Sequence, residues 1–163
     1  MDELAKKVGY ALKSHGLMLV TAESCTGGGV AQAITEVAGS SAWFERGFVT
    51  YSNLSKQQIL GVSAATLERH GAVSETTVRE MVAGALKNSA AQVALAVSGI
   101  AGPDGGTPDK PVGTVWFSWG IKSGETHAQR HQLGGNRAEV RAQSVHIALQ
   151  GVINLLNKYT KTA

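Results

Sequence analysis

Short apolar runs alternate with segments of helical period along most of this chain, and that alternation restricts its fold more than any other feature. The runs at 17–22, 47–51 and 93–97 have strand length, whereas residues 3–15 set Leu4, Val8 and Leu12 one turn apart and residues 28–37 set Val30, Ala31, Ile34 and Val37 on one face. Strands separated by helices predict a layered α/β sheet, parallel in its first part, because a parallel neighbour needs a crossover long enough to hold a helix. Local punctuation supplies the ends. His15-Gly16 closes the first helix and Gly39-Ser40-Ser41 the second, while Ser52-Asn53 cap a short helix through Leu60 that Gly61 ends. Ser63 and Ser74 cap helices over 64–70 and 75–88, the first stopped by Gly71. Residues 112–121 and 126–133 flank Lys122-Ser123-Gly124-Glu125, which predicts an antiparallel hairpin. Asn136 and Glu139 fit a capping box, and Ala138, Ala142, Val145, Leu149, Val152 and Leu156 continue as one apolar stripe along a last helix.

Composition narrows the class. At 163 residues a single domain, 1–163, is expected, and a chain of this size buries roughly 70% of its unfolded surface without needing disulfides or a structural metal. The one cysteine, Cys25, excludes an intramolecular disulfide and a multi-cysteine zinc site. The net charge of +3 is scattered, Lys6-Lys7 is the only adjacent cationic pair, and aromatics are 6% of the chain, so no nucleic-acid groove is expected. Met1-Asp2-Glu3-Leu4 is acidic where a signal peptide would be basic, and no apolar stretch approaches the roughly 18 residues of a membrane span. The expectation is a cytoplasmic protein with no membrane partner.

Chemistry concentrates at the ends of the apolar runs. Thr21-Ala22-Glu23-Ser24-Cys25-Thr26-Gly27-Gly28-Gly29 joins a strand to a helix, and three glycines in a first helical turn cost about 1 kcal/mol each against alanine, which points to a need for bare backbone. Free amides at a helix N-terminus face a phosphate or a developing oxyanion; a tight packing turn is the plain alternative. The Gly-Lys-Ser/Thr ending of a P-loop and the glycine spacing of a dinucleotide fingerprint are both missing. Two nucleophiles compete here: Cys25, as a thiolate favoured by the helix dipole or as a small buried hydrophobe, and Ser24, which needs an external base. None of the five histidines, at 15, 70, 127, 131 and 146, sits in a catalytic motif, and no metal site is suggested by their spacing. Lys56 follows a strand end, where α/β loops build sites; spacing alone reads it as a solvated lysine, and only a site would lower its pKa far enough for base catalysis. All three prolines, 103, 108 and 111, fall in the 102–111 loop, which is expected to rim a site. Arg137 and Arg141 share one face of the last helix's first turns, where cations oppose the dipole unless an anion sits between them or surface acids pair with them.

Five collinear blocks, TAESCTGG at 21–28, GSSAWFERGFVTYSN at 39–53, HGAVS at 70–74, VSGIAGPDGG at 97–106 and KPVGTVWF at 110–117, resemble the CinA C-terminal domain family, and within it the stand-alone bacterial amidohydrolases. The resemblance implies a three-layer α/β/α sandwich with a mixed, mostly parallel sheet, a homo-oligomer, and no metal or organic cofactor. It implies hydrolysis of the carboxamide of nicotinamide mononucleotide to nicotinate mononucleotide and ammonia, in pyridine nucleotide salvage. By motif position Ser24 is the nucleophile and Lys56 its base, with the Tyr51 hydroxyl in support. The loop at Thr26, Gly27 and Gly28 would hold the oxyanion, Ser98, Gly99 and Gly102 would line the nucleotide, and Arg137 and Arg141 would take its phosphate. Asn136 stands where the family usually has Asp; it keeps the cap and loses any salt link by that carboxylate. Two other readings stay open, an amidase that uses Cys25 and a nucleotide-binding or regulatory module without turnover.

Overall fold

The computed structural model describes residues 2–162. Its elements run α1 (Asp2–Ser14), β1 (Leu19–Glu23), α2 (Gly29–Thr35), a 3-10 turn (Ser40–Ala42), β2 (Phe44–Val49), α3 (Asn53–Leu60), α4 (Ala64–His70), α5 (Glu75–Lys87), β3 (Val93–Gly99), β4 (Thr114–Ile121), β5 (Thr126–Gln132) and α6 (Arg137–Thr162). The five strands form one sheet in the order β2-β1-β3-β4-β5. β1 pairs in parallel with both β2 and β3, while β4 is antiparallel to β3 and β5, so β4 alone is reversed.

Strand alternation sorts the core into two layers. Val93, Leu95 and Val97 of β3 face α1, α2 and α6, and Ala94 and Ala96 face α3, α4 and α5. The fold is therefore an α/β/α sandwich. The small side chains on the second face let α5 approach the sheet closely, and Gly84 separately lets it lie against the end of α3: a Cβ there would stand 1.8 Å from the backbone oxygen of Leu60. Backbone cannot rotate away as a side chain can. Gly84→Ala is expected to lower stability by about 1–3 kcal/mol, read as a shift in the chemical denaturation midpoint with an unchanged slope; a variant as stable as the parent would show that α3 slides freely on α5.

Local chemistry sets the helix ends as expected. Ser52, Ser63 and Ser74 accept from the amides of Ser55, Thr66 and Thr77, and Gly61 ends α3 in the left-handed region. In the capping box of α6 the Glu139 amide donates to Asn136 Oδ1 at 2.9 Å and the Asn136 amide to Glu139 Oε1 at 3.0 Å. Several boundaries and one helix phase differ from expectation: β1 covers 19–23 rather than 17–22, and α2 29–35 rather than 28–37. β2 covers 44–49 rather than 47–51, because pairing with β1 from Leu19↔Phe44 to Glu23↔Val49 decides its extent, and Thr50 then leads the chain out toward the α3 cap. β4 begins at Thr114, after Gly113 turns with φ +94. In α6 the expected stripe starts out of phase: Ala138 and Ala142 are exposed, and Val140 and Ser144 are buried instead. Ser144 fits the core because its hydroxyl donates back to the Val140 carbonyl at 2.7 Å, a satisfaction that hydropathy does not register. Among the described residues no helix is long and apolar enough to cross a membrane.

Candidate active site

β1 lies between β2 and β3, and the chain leaves β1 toward β2 on one side and leaves β3 toward β4 on the other. Connections that diverge from neighbouring strand ends open a crevice at their C-terminal edge, the usual place for a site in such sheets. A cavity of about 260 Å³ occupies that position, with Ser24 and Cys25 on one wall, Lys56 in α3 on a second, and Ser98, Gly99 and Gly102 on a third.

Ser24 is the first residue beyond β1, and its amide donates to the Val97 carbonyl at 3.0 Å, which extends the β1–β3 ladder and fixes where the hydroxyl stands. The chain then turns sharply. Gly27 and Gly28 have φ of +58 and +98, the left-handed region where a side chain is strained, so conformation as well as bare backbone explains the glycines expected at this turn. The Gly27 amide, expected among the oxyanion donors, is engaged by the Ser24 carbonyl at 3.0 Å, and the Gly29 amide by the Thr26 carbonyl at 2.9 Å. Among the described residues the Thr26 and Gly28 amides have no backbone acceptor, and the Cys25 amide is turned to its own thiol.

Lys56 is the decisive side chain. It is 1% exposed, and its Nζ donates to Ser24 Oγ at 2.9 Å, to the Thr50 carbonyl at 2.9 Å and to the Tyr51 carbonyl at 3.3 Å. No carboxylate pairs with it among the described residues. Burial pushes its pKa below the ordinary lysine value, with Cys25 acting in the opposite direction. Spacing alone read Lys56 as solvated; the fold places it in the interior against a serine.

Other expected residues take different places. The Tyr51 hydroxyl does not reach Ser24: it accepts from Arg137 Nη2 at 3.1 Å, and only the Tyr51 backbone carbonyl meets Lys56. Arg137 lines the cavity and donates from Nη1 to the Gly102 carbonyl at 2.8 Å. Arg141 does not line it. That guanidinium donates to the Cys25 and Thr26 carbonyls and borders a separate groove between α2 and α6, so the two arginines do not converge on one anion as their spacing suggested. Cys25 is 7% exposed and belongs to the hydrophobic core. Burial raises its thiol from 9.0 to about 11, against the lowering effect of its backbone hydrogen bond. A thiolate at neutral pH is thereby disfavoured, opposite to the dipole argument made from sequence.

Glu23 was missed by sequence reasoning. It is fully buried at the end of β1, and its carboxylate accepts from Thr26 Oγ1 at 2.5 Å, from the Val30 amide at 2.9 Å and from the Ala31 amide at 3.0 Å. A buried anion at the start of α2 satisfies two orphan helix amides and complements the dipole. The signal available was a glutamate at the tip of an apolar strand. Asn53 and Asp104 also line the cavity and were read only as cap and loop residues. No histidine lines it, and among the described residues no group of three or more metal-ligating side chains is gathered.

Comparison with known proteins places this geometry among relatives. The chain is 57% identical over 148 residues to the nicotinamide-nucleotide amidohydrolase PncC of Escherichia coli K12, covering 91% of this chain and 90% of that protein. It is 55% identical over 150 residues to the protein of the same name from Enterobacter agglomerans, covering 92% of each. Among solved structures, the competence/damage inducible protein CihA of Agrobacterium tumefaciens superposes with a TM-score of 0.92 at 46% identity, over 96% of this chain and 94% of that one. The CinA C-terminal domain family model matches residues 1–156, a span that holds the turn carrying Ser24, the helix carrying Lys56 and the start of α6. This protein belongs to the CinA C-terminal domain family.

Proposed function

We propose that this protein is an amidohydrolase that converts nicotinamide mononucleotide to nicotinate mononucleotide and ammonia, with Ser24 as nucleophile and Lys56 as general base. The observation that carries the reading is the buried contact of 2.9 Å between Lys56 Nζ and Ser24 Oγ, made by a lysine with no carboxylate partner. As a neutral amine Lys56 keeps two hydrogens for the Thr50 and Tyr51 carbonyls, and a tetrahedral nitrogen then turns its lone pair to the Ser24 hydroxyl. Ser24 Oγ attacks the carboxamide carbon as Lys56 takes its proton. The amide C–N bond breaks, Lys56 returns that proton to the departing nitrogen, and ammonia leaves, with the nucleotide held through its carbonyl as an ester of Ser24. Water, deprotonated by the same amine, cleaves the ester and regenerates the serine.

Substrate identity is supported by the names of the relatives, and the cavity's polarity agrees with it. Arg137 is the cation on the wall that a phosphate would meet. Ammonia release from nicotinamide mononucleotide, with free nicotinamide as the control, tests the reading. Release from the nucleotide alone supports it. Saturable nucleotide binding with no ammonia would replace it with a binding module. Cys25→Ala is expected to retain most of the activity, since the thiol stays protonated and packs in the core; loss of turnover in a folded variant would transfer the nucleophile's role to Cys25.

A further inference from the structure

Arg141 Nε donates to the Cys25 carbonyl at 3.1 Å and Nη2 to the Thr26 carbonyl at 3.2 Å, from the groove between α2 and α6 rather than from the Ser24 cavity. Gly27 lets the guanidinium lie against the turn, since a Cβ there would stand 3.3 Å from Nη2. In a trans peptide the C=O and the following N–H point in opposite directions. A clamp on the Cys25 carbonyl therefore turns the Thr26 N–H away from Arg141. A clamp on the Thr26 carbonyl does the same to the Gly27 N–H, and that group is found donating to the Ser24 carbonyl. Thr26 is 1% exposed, and its amide has no acceptor among the described residues. Thr26 borders the same groove as Arg141 rather than the Ser24 cavity, so it is the peptide plane, with the N–H opposite the clamped carbonyl, that turns this amide toward the nucleophile's side of the turn. Buried amides are rarely left unpaired, and this one can take an acceptor that arrives with the substrate. From the opposite end Glu23 holds Thr26 Oγ1, which stops the residue from rotating.

We infer that Arg141 is a positioning residue: by clamping two carbonyls of the turn it aims the Thr26 amide at the oxyanion formed when Ser24 attacks, and it does not hold the phosphate. The inference rests on the acylation of Ser24 proposed above. It differs from a phosphate role in what it predicts. A phosphate ligand acts on binding of the phosphorylated substrate, whereas an oxyanion device acts on the transition state of any substrate that reaches Ser24.

The test compares the parent with R141Q and R141K on nicotinamide mononucleotide and on nicotinamide riboside, which lacks the phosphate. R141Q is expected to lower kcat by roughly 10- to 100-fold on both, part of the 10²–10³ that losing an oxyanion donor costs, with KM little changed. R141K, whose ammonium reaches one carbonyl at a time, is expected to fall between and keeps the test open if R141Q does not fold. A rise in KM for the mononucleotide that the riboside does not share would overturn the inference and return Arg141 to the phosphate. A second arm uses 3-pyridylboronic acid: Ser24 Oγ adds to boron as Lys56 takes its proton, and the tetrahedral boronate sets an oxygen at the oxyanion position. R141Q should weaken that adduct by the same factor as kcat while leaving nicotinate mononucleotide binding unchanged. If the parent releases no ammonia from the mononucleotide yet forms the adduct, and R141Q weakens it, the positioning role stands and only the substrate reading fails. Boronate affinity equal in parent and variant overturns it, whatever happens to the melting temperature.

Discussion

Ser24→Ala is expected to reduce ammonia release from nicotinamide mononucleotide by roughly 10⁴-fold or more, the scale of losing a covalent nucleophile, while nucleotide binding and the fold persist. Persistence is expected because Ser24 contributes little to packing: its side chain faces the cavity, and the ladder bond from its amide to Val97 does not depend on the hydroxyl. Lys56 loses one of three acceptors in the variant and keeps the Thr50 and Tyr51 carbonyls. Acid quenching during turnover followed by peptide mass spectrometry is the direct check. The parent should carry the acyl group of nicotinate mononucleotide, ribose phosphate included, on Ser24, and the variant none. An alanine variant that still turns over would remove serine catalysis and leave Cys25 or direct attack by water.

Lys56→Met should lower turnover by about 10²- to 10⁴-fold, the range for a general base, and should change how stability depends on pH. Methionine matches the length of the stem but carries no charge. In the folded parent the lysine pKa lies below its ordinary value of 10.5 because burial disfavours the ammonium. Above 10.5 both folded and unfolded chains hold a neutral amine, and no charge is buried. As pH falls from there toward the folded pKa, the unfolded chain binds a proton that the folded chain resists, so the stability of the parent declines. Below the folded pKa both states are protonated and the difference is constant. Denaturant midpoints of parent and variant should therefore diverge in favour of methionine as pH falls across that window, and run parallel below it. The same group governs activity: kcat/KM of the parent should rise with pH through the Lys56 pKa and level off below 10.5. If that rising limb survives in Lys56→Met, the base is another group.

The expected helices match where the deciding chemistry is local. Ser52 and Gly61 bound α3 at the positions read from sequence because a cap depends on residues three or four apart. The Asn136–Glu139 box holds for the same reason. β2 was displaced because an edge strand takes its limits from its partner, and β1 lies more than twenty positions away in the chain. The first turns of α6 were assigned to the wrong face because Ala is indifferent to burial and a serine bonded to its own helix counts as polar in any hydropathy pattern.

At the site, residue types and strand-end positions pointed to the Ser24 turn and to the 97–106 loop, because sheets of this kind gather chemistry at strand ends. Sequence by itself determined the order of elements, most of their caps and the family to which the chain belongs. Tertiary structure alone decided that Lys56 meets Ser24 across 32 positions, that Cys25 is a core thiol, that Tyr51 serves Arg137, and that Arg141 clamps a turn 115 and 116 positions upstream. The reason is physical. Capping and periodicity act within one or two helical turns, whereas burial, proton affinity and the direction of a peptide plane depend on groups brought together only by folding.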